Sequence, residues 1–77
     1  MNAELNRRVA ALVQDVTGGA VTAGQALTGG SLRALGLDSL GALRLIDAID
    51  LEFGVEIDLG SGSDTLEAIT RMVEDRS

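Results

Sequence analysis

Three separate stretches of this chain place apolar residues at helical spacing, and only one stretch alternates as a strand does. In the first, Leu5, Val9, Leu12, Val13 and Val16 recur at i, i+4, i+7, i+8 and i+11, a single apolar stripe on a helix. That stripe predicts a helix over residues 3–17, capped by Asn2 and ended by Gly18-Gly19 in the left-handed conformation. In the second, Ser39–Phe53, steps of about 100° per residue put Ala42, Leu45, Ile46, Ile49 and Phe53 on one side, and Gly54 stands ready to stop the helix. The third carries Leu66, Ile69 and Val73 on its inner stripe, flanked by Thr70 and Met72. It is expected to start near Ser63 or Asp64, where Asp64 and Glu67 have capping-box spacing, and to place Arg71 and Arg76 toward its C-terminal end, where cations are favoured. The alternating run Val55-Glu56-Ile57-Asp58-Leu59 has no second strand to pair with, so it is read as an extended connector that buries Val55, Ile57 or Leu59. The expected fold is all-α, a small three-to-four-helix bundle with a long first loop.

That loop, residues 18–37, contains six glycines. A connection of this length in a small domain is usually functional or semi-ordered. Leu32, Leu35 and Leu37 are expected to pin its end to the core, with a short turn of helix at Ser31–Leu35. Gly60-Ser61-Gly62-Ser63 is read as a flexible turn holding at most a short irregular helix.

Composition then removes whole classes of function. Seventy-seven residues make one domain, 1–77, with a thin core. There is no Cys, hence no disulfide, thiolate metal site or cysteine nucleophile, and no His, the commonest general base and transition-metal ligand. No apolar run reaches the length of a membrane span and the N-terminus lacks the order of a signal peptide, so a cytoplasmic protein without membrane association is expected. The net charge of −6 is uneven: residues 1–35 carry net +1 and residues 36–77 net −7. An acidic balance argues against nucleic acid and suits partners with basic docking surfaces.

Several patterns fail when tested against the chemistry they need. Gly19 to Gly24 has P-loop glycine spacing, but Gln25-Ala26 stands where Lys-Ser/Thr is required. Leu37 replaces the first glycine of a nucleophile elbow around Ser39, and no His completes a triad. Asp58–Glu67 lacks the ligand order of an EF-hand loop. Asp47, Asp50 and Glu52 read as a solvated helix face rather than a catalytic carboxylate pair.

What survives is Gly36-Leu37-Asp38-Ser39-Leu40. Asp38 is a good N-cap, and Ser39 falls at the first helical position, where open N–H groups and the helix dipole favour an attached anion. On the helix that follows, Leu40, Arg44, Asp47 and Leu51 lie opposite the core side, with Leu43 at the margin. Several leucines facing water beside a candidate functional serine, rimmed by Arg and Asp, read as a docking patch.

The stretch Leu32-x-x-Leu35-Gly36-Leu37-Asp38-Ser39-Leu40, the helix after it, and Glu52-Phe53-Gly54-Val55-Glu56-Ile57 resemble the carrier-protein family of fatty-acid, polyketide and nonribosomal-peptide synthesis. The resemblance is close over about residues 30–58, and the first and last helices agree in position and apolar spacing. It implies an acyl-carrier-protein-like bundle that catalyses nothing. A phosphopantetheinyl transferase, holding Mg²⁺ on its own side, would join 4′-phosphopantetheine from coenzyme A to Ser39. The arm's thiol would then carry acyl or aminoacyl intermediates as thioesters. Asp38 would be the acid that the family keeps before its serine. The second helix, with Leu40, Leu43, Arg44, Asp47 and Leu51, would dock the transferase, the loading enzymes and downstream synthase, condensation or tailoring enzymes, the carrier remaining a monomer.

Leu43-Arg44-Leu45 departs from the Val-Glu-Leu run of fatty-acid carriers and is more similar to peptidyl carriers, whereas Gly36-Leu37 departs from the Gly-Gly those usually show. A free-standing carrier in specialised-metabolite synthesis, polyketide or nonribosomal peptide, is the resulting expectation. The alternative is a small helical interaction module that uses the Leu40/Leu43/Leu51 face without a prosthetic group. A self-contained hydrolase is remote without His.

Overall fold

The computed structural model describes residues 3–60 and 64–76. Five helices follow in order: α1 (Ala3–Val16), α2 (Ala23–Ala26), α3 (Leu32–Leu35), α4 (Ser39–Phe53) and α5 (Leu66–Arg76). Helix α1 is the centre of the bundle, packing against α2, α4 and α5. Its Leu5, Val9, Ala10 and Val13 are buried, while Leu12 and Val16 pack partly exposed on the core edge. The α4 stripe divides in the same way: Leu45 and Ile49 are fully enclosed, whereas Ile46 and Phe53 are half-buried. Phe53 is covered on its open side by the Arg8 guanidinium, 4.8 Å from the ring centroid, and Arg8 also pairs with Glu52 at 3.0 Å.

The long first connection is more structured than its glycine content suggests. Thr17 Oγ1 donates to the Val13 carbonyl at 2.8 Å and accepts from Val21 N–H at 3.1 Å, tying the loop to the end of α1. Helix α2 is absent from the sequence expectation; Thr22 and Gln25 form a full capping box around its start. Helix α3 is the anticipated turn, capped by Ser31. Leu32 and Leu37 are buried and Leu35 half-buried, so the three leucines do pin the loop.

The connector after α4 is extended, and Val55, Ile57 and Leu59 are all buried. Among the described residues the only β-pairing is an isolated bridge between Ser31 and Thr65. The expectations for the turn at residues 61–63 lie outside the described residues.

The start of α5 corrects one expectation. Asp64 and Glu67 do not form a capping box. Thr65 takes the capping role, its Oγ1 accepting from Ala68 N–H at 3.2 Å. Asp64 faces the other way: its carboxylate accepts from the Ser31 hydroxyl at 2.5 Å and from Arg33 N–H at 3.4 Å, and its carbonyl accepts from Leu32 N–H at 2.9 Å. Glu67 instead pairs with Arg71 at 3.1 Å on the surface. Asp64 therefore ties α3 to the entry of α5. The Ser31 hydrogen bond, the largest influence, lowers the Asp64 carboxyl below its ordinary value of 3.8, against an opposing effect of burial. A carboxyl lowered in the folded state stabilises the fold above its unfolded value and loses that contribution as pH falls through the folded one. Melting temperatures of wild type and Asp64→Ala are thus expected to differ most at pH 6 and to draw together progressively as pH falls below 3.8.

Helix α5 also buries a polar group without a partner. Thr70 is 3% exposed, and among the described residues its Oγ1 has no hydrogen bond. Leaving a buried hydroxyl unsatisfied costs about 1–3 kcal/mol. Thr70→Val keeps the branched shape and removes the orphan atom. It is expected to stabilise by about 1 kcal/mol, raising the calorimetric Tm by roughly 4–8 °C for a domain of this size.

Candidate functional site

The loop before α4 is shaped to present Ser39. Gly36 adopts φ 132°, ψ 3°, a backbone conformation that side-chain-bearing residues rarely enter, and turns the chain out of α3. Leu37 N–H then bonds the Leu32 carbonyl at 2.8 Å, and the Leu37 side chain is buried as an anchor. Asp38 stands in extended conformation as the N-cap of α4, and its Oδ1 accepts from Gly41 N–H at 2.7 Å. Gly41 permits this close seating, because a Cβ there would come within 3.0 Å of Leu37 Cδ1 and 3.1 Å of Asp38 Oδ1. Ser39, the first residue of α4, is exposed.

Helix α4 carries the candidate docking residues where the helical wheel placed them. Leu40, Leu43 and Leu51 are 56%, 66% and 81% exposed, and Arg44 and Asp47 are exposed beside them. Among the described residues the ion pairs are Arg8–Glu52 and Arg71–Glu67, so Arg44 and Asp47 meet solvent unpaired. Gly54, in the left-handed conformation, ends the helix as expected.

Beside Ser39 lies an open cavity of about 400 Å³. Ser39, Ala42, Leu43 and Ile46 of α4 form one wall, and Leu59 and Gly60 of the connector form another. Arg33 of α3 and Asp58 supply its charged groups. The Arg33 guanidinium donates to the Leu59 carbonyl at 2.9 Å, bridging α3 and the connector. Sequence reasoning missed both Arg33 and Asp58. A second cavity of about 420 Å³, lined by Asn6, Leu27, Leu66 and Arg71 among others, shares no residue with the first.

The site has no cluster of three or more His, Cys, Asp or Glu among the described residues that could hold a metal ion. It offers an accessible hydroxyl at a helix start, with a cation across the adjoining cavity. An anion such as a phosphodiester on Ser39 fits this setting, since the helix dipole favours negative charge there.

A family model described as the phosphopantetheine attachment site matches residues 7–73, and the chain belongs to that family. Its members are defined by covalently attached 4′-phosphopantetheine, are non-catalytic carriers, and work with a phosphopantetheinyl transferase and partner synthase enzymes. Neither a curated protein nor a solved structure matches the chain. No helix among the described residues is long and apolar enough to cross a membrane.

Proposed function

We propose that Ser39 is the attachment point and that the chain, as one carrier domain over residues 1–77, holds acyl or aminoacyl intermediates as thioesters on its arm. A phosphopantetheinyl transferase joins the Ser39 oxygen to the phosphorus of the pantetheine half of coenzyme A. The other half of coenzyme A leaves, and the hydroxyl proton passes to the transferase. The observation that carries this reading is the exposed Ser39 hydroxyl at the first position of α4, fixed by the Asp38 cap and bordered by exposed leucines. The arm supplies a thiol that forms the thioester. The chain's own residues place that arm and offer a surface to partners.

Leu40, Leu43, Arg44, Asp47 and Leu51 form that surface on α4. The partners are the transferase, loading enzymes, and synthase, condensation or tailoring enzymes of polyketide or nonribosomal-peptide synthesis in the cytoplasm. The carrier acts as a monomer. Leu43-Arg44-Leu45 in place of an acidic run supports a peptidyl or polyketide carrier over a fatty-acid one. Truncating an apolar interface anchor commonly costs more than 1 kcal/mol, and adding a charge there costs more again. Leu40→Asp and Leu51→Asp are therefore each expected to slow transferase-catalysed loading about tenfold at limiting carrier, with the melting temperature unchanged. Loading rates equal to wild type in both variants would remove α4 as the docking face.

Protein isolated from its native host tests the whole reading. The expected intact mass exceeds that of the bare chain by one arm plus an acyl or aminoacyl group, and hydroxylamine releases that group. Protein that stays at the bare mass under pathway expression contradicts the reading.

A further inference from the structure

We propose that Asp64 is a positioning residue for the loading of Ser39, acting from the entry of α5 through α3. The proposal rests on Ser39 as the attachment point and adds what holds the chain that leads to it.

Helix α3 has only four residues, Leu32–Leu35, far below the length at which a helix stands alone in water. Its start is completed from outside. Leu32 N–H donates to the Asp64 carbonyl at 2.9 Å, and Arg33 N–H donates to the Asp64 carboxylate at 3.4 Å. Ala34 N–H donates to Ser31 Oγ at 3.3 Å, and the Ser31 hydroxyl donates in turn to the same carboxylate oxygen of Asp64 at 2.5 Å. Directly or through Ser31, Asp64 therefore meets three of the four N–H groups that a helix start leaves open.

The other end of α3 sets the approach to Ser39. The Leu32 carbonyl accepts from Gly36 N–H at 3.1 Å and from Leu37 N–H at 2.8 Å. Leu37 is buried, and Asp38 follows it as the cap of α4. Leu32 is thus bonded to Asp64 at its N–H and to Leu37 at its carbonyl, two residues before the serine. Without Asp64, α3 loses the support of its first turn, and Gly36–Asp38 must be ordered afresh at each encounter with a transferase. Ordering a freed segment on binding weakens association and leaves the chemical step alone, so the cost falls on KM rather than kcat.

The test measures loading of the full chain with coenzyme A, Mg²⁺ and a promiscuous phosphopantetheinyl transferase, at a temperature where circular dichroism shows every variant folded. Asp64→Ala is expected to raise KM for the carrier about fivefold with kcat unchanged, and to speed hydrogen exchange of Leu37 N–H about tenfold. Ser31→Ala breaks the same link from its other side and is expected to raise KM similarly, with the double variant no worse than either single one. Asp64→Asn keeps an oxygen that accepts from Ser31 and Arg33, and is expected to return KM to within about twofold of wild type. Thr65→Ala supplies the contrast. It removes the cap of α5 at the next residue without touching α3, so it should melt earlier than wild type and load as wild type does. An unchanged KM in Asp64→Ala or in Ser31→Ala overturns the proposal. So does a KM raised as much by Thr65→Ala as by Asp64→Ala, which would make the effect one of general stability. A wild-type chain that gains no mass on Ser39 overturns the attachment reading itself, an outcome seen before any variant is measured.

Discussion

Ser39→Ala is expected to fold as wild type does and to take up no phosphopantetheine. The two halves of that result have separate causes. Ser39 is exposed, and the N-cap of α4 is Asp38, so loss of the Ser39 hydroxyl leaves the helix start intact. Surface substitutions of this kind stay within about 0.5 kcal/mol. Uptake fails because alanine has no oxygen to join to phosphorus, and no neighbour can substitute: residues 34–44 contain no other Ser or Thr. Circular dichroism and intact mass on the same sample check both halves. Asp38→Ala serves as the complement. It keeps the hydroxyl but removes the cap, at a typical cost of about 1 kcal/mol, so it should load while melting earlier than wild type.

Ile49→Ala is expected to produce the largest loss of stability. Ile49 is fully buried on α4, the helix that carries Ser39 and packs on α1. Truncating a buried Ile to Ala costs about 2–5 kcal/mol through lost burial and the cavity left behind. A domain of 77 residues has only roughly 4–12 kcal/mol to lose. Leu51→Ala, two residues along the same helix but 81% exposed, should change stability by less than about 0.5 kcal/mol. Urea denaturation of the two variants side by side gives the contrast. Ile49→Ala should also load more slowly, because a partly melted α4 no longer presents Ser39 at an ordered helix start.

The contrast between Ile49 and Leu51 was legible in the sequence, and so was most of α4. Its boundaries, Ser39 to Phe53, and the exposure of Leu40, Leu43 and Leu51 follow from a local period together with the Asp38 and Gly54 signals at its ends. Helix α2 was missed although Thr22-x-x-Gln25 is a capping-box signature; the surrounding glycines favoured a loop, and the box and the Gln14 side-chain bond to Ala23 N–H, 2.8 Å, outweighed them. The start of α5 was misread because Asp64 has a partner 33 residues away, Ser31, whose hydroxyl drew its carboxylate from the capping position. Arg33 escaped notice for the same kind of reason. Its meaning comes from Leu59, 26 residues further on, and no local spacing encodes that meeting. Local rules reached Ser39 at the start of α4 and the exposed leucines of that helix. The cavity between them needed the tertiary fold.

The most direct test of Ser39 as the attachment point is a digest of the chain after incubation with coenzyme A, Mg²⁺ and a promiscuous phosphopantetheinyl transferase. Trypsin cleavage after Arg33 and Arg44 releases the peptide Ala34–Arg44, in which Ser39 is the only hydroxyl-bearing residue. That peptide is expected to carry the full mass of one phosphopantetheine and to lose it as a pantetheine-derived fragment on dissociation. An unmodified Ala34–Arg44 peptide, with the added mass found on another peptide or on none, would contradict the assignment of Ser39.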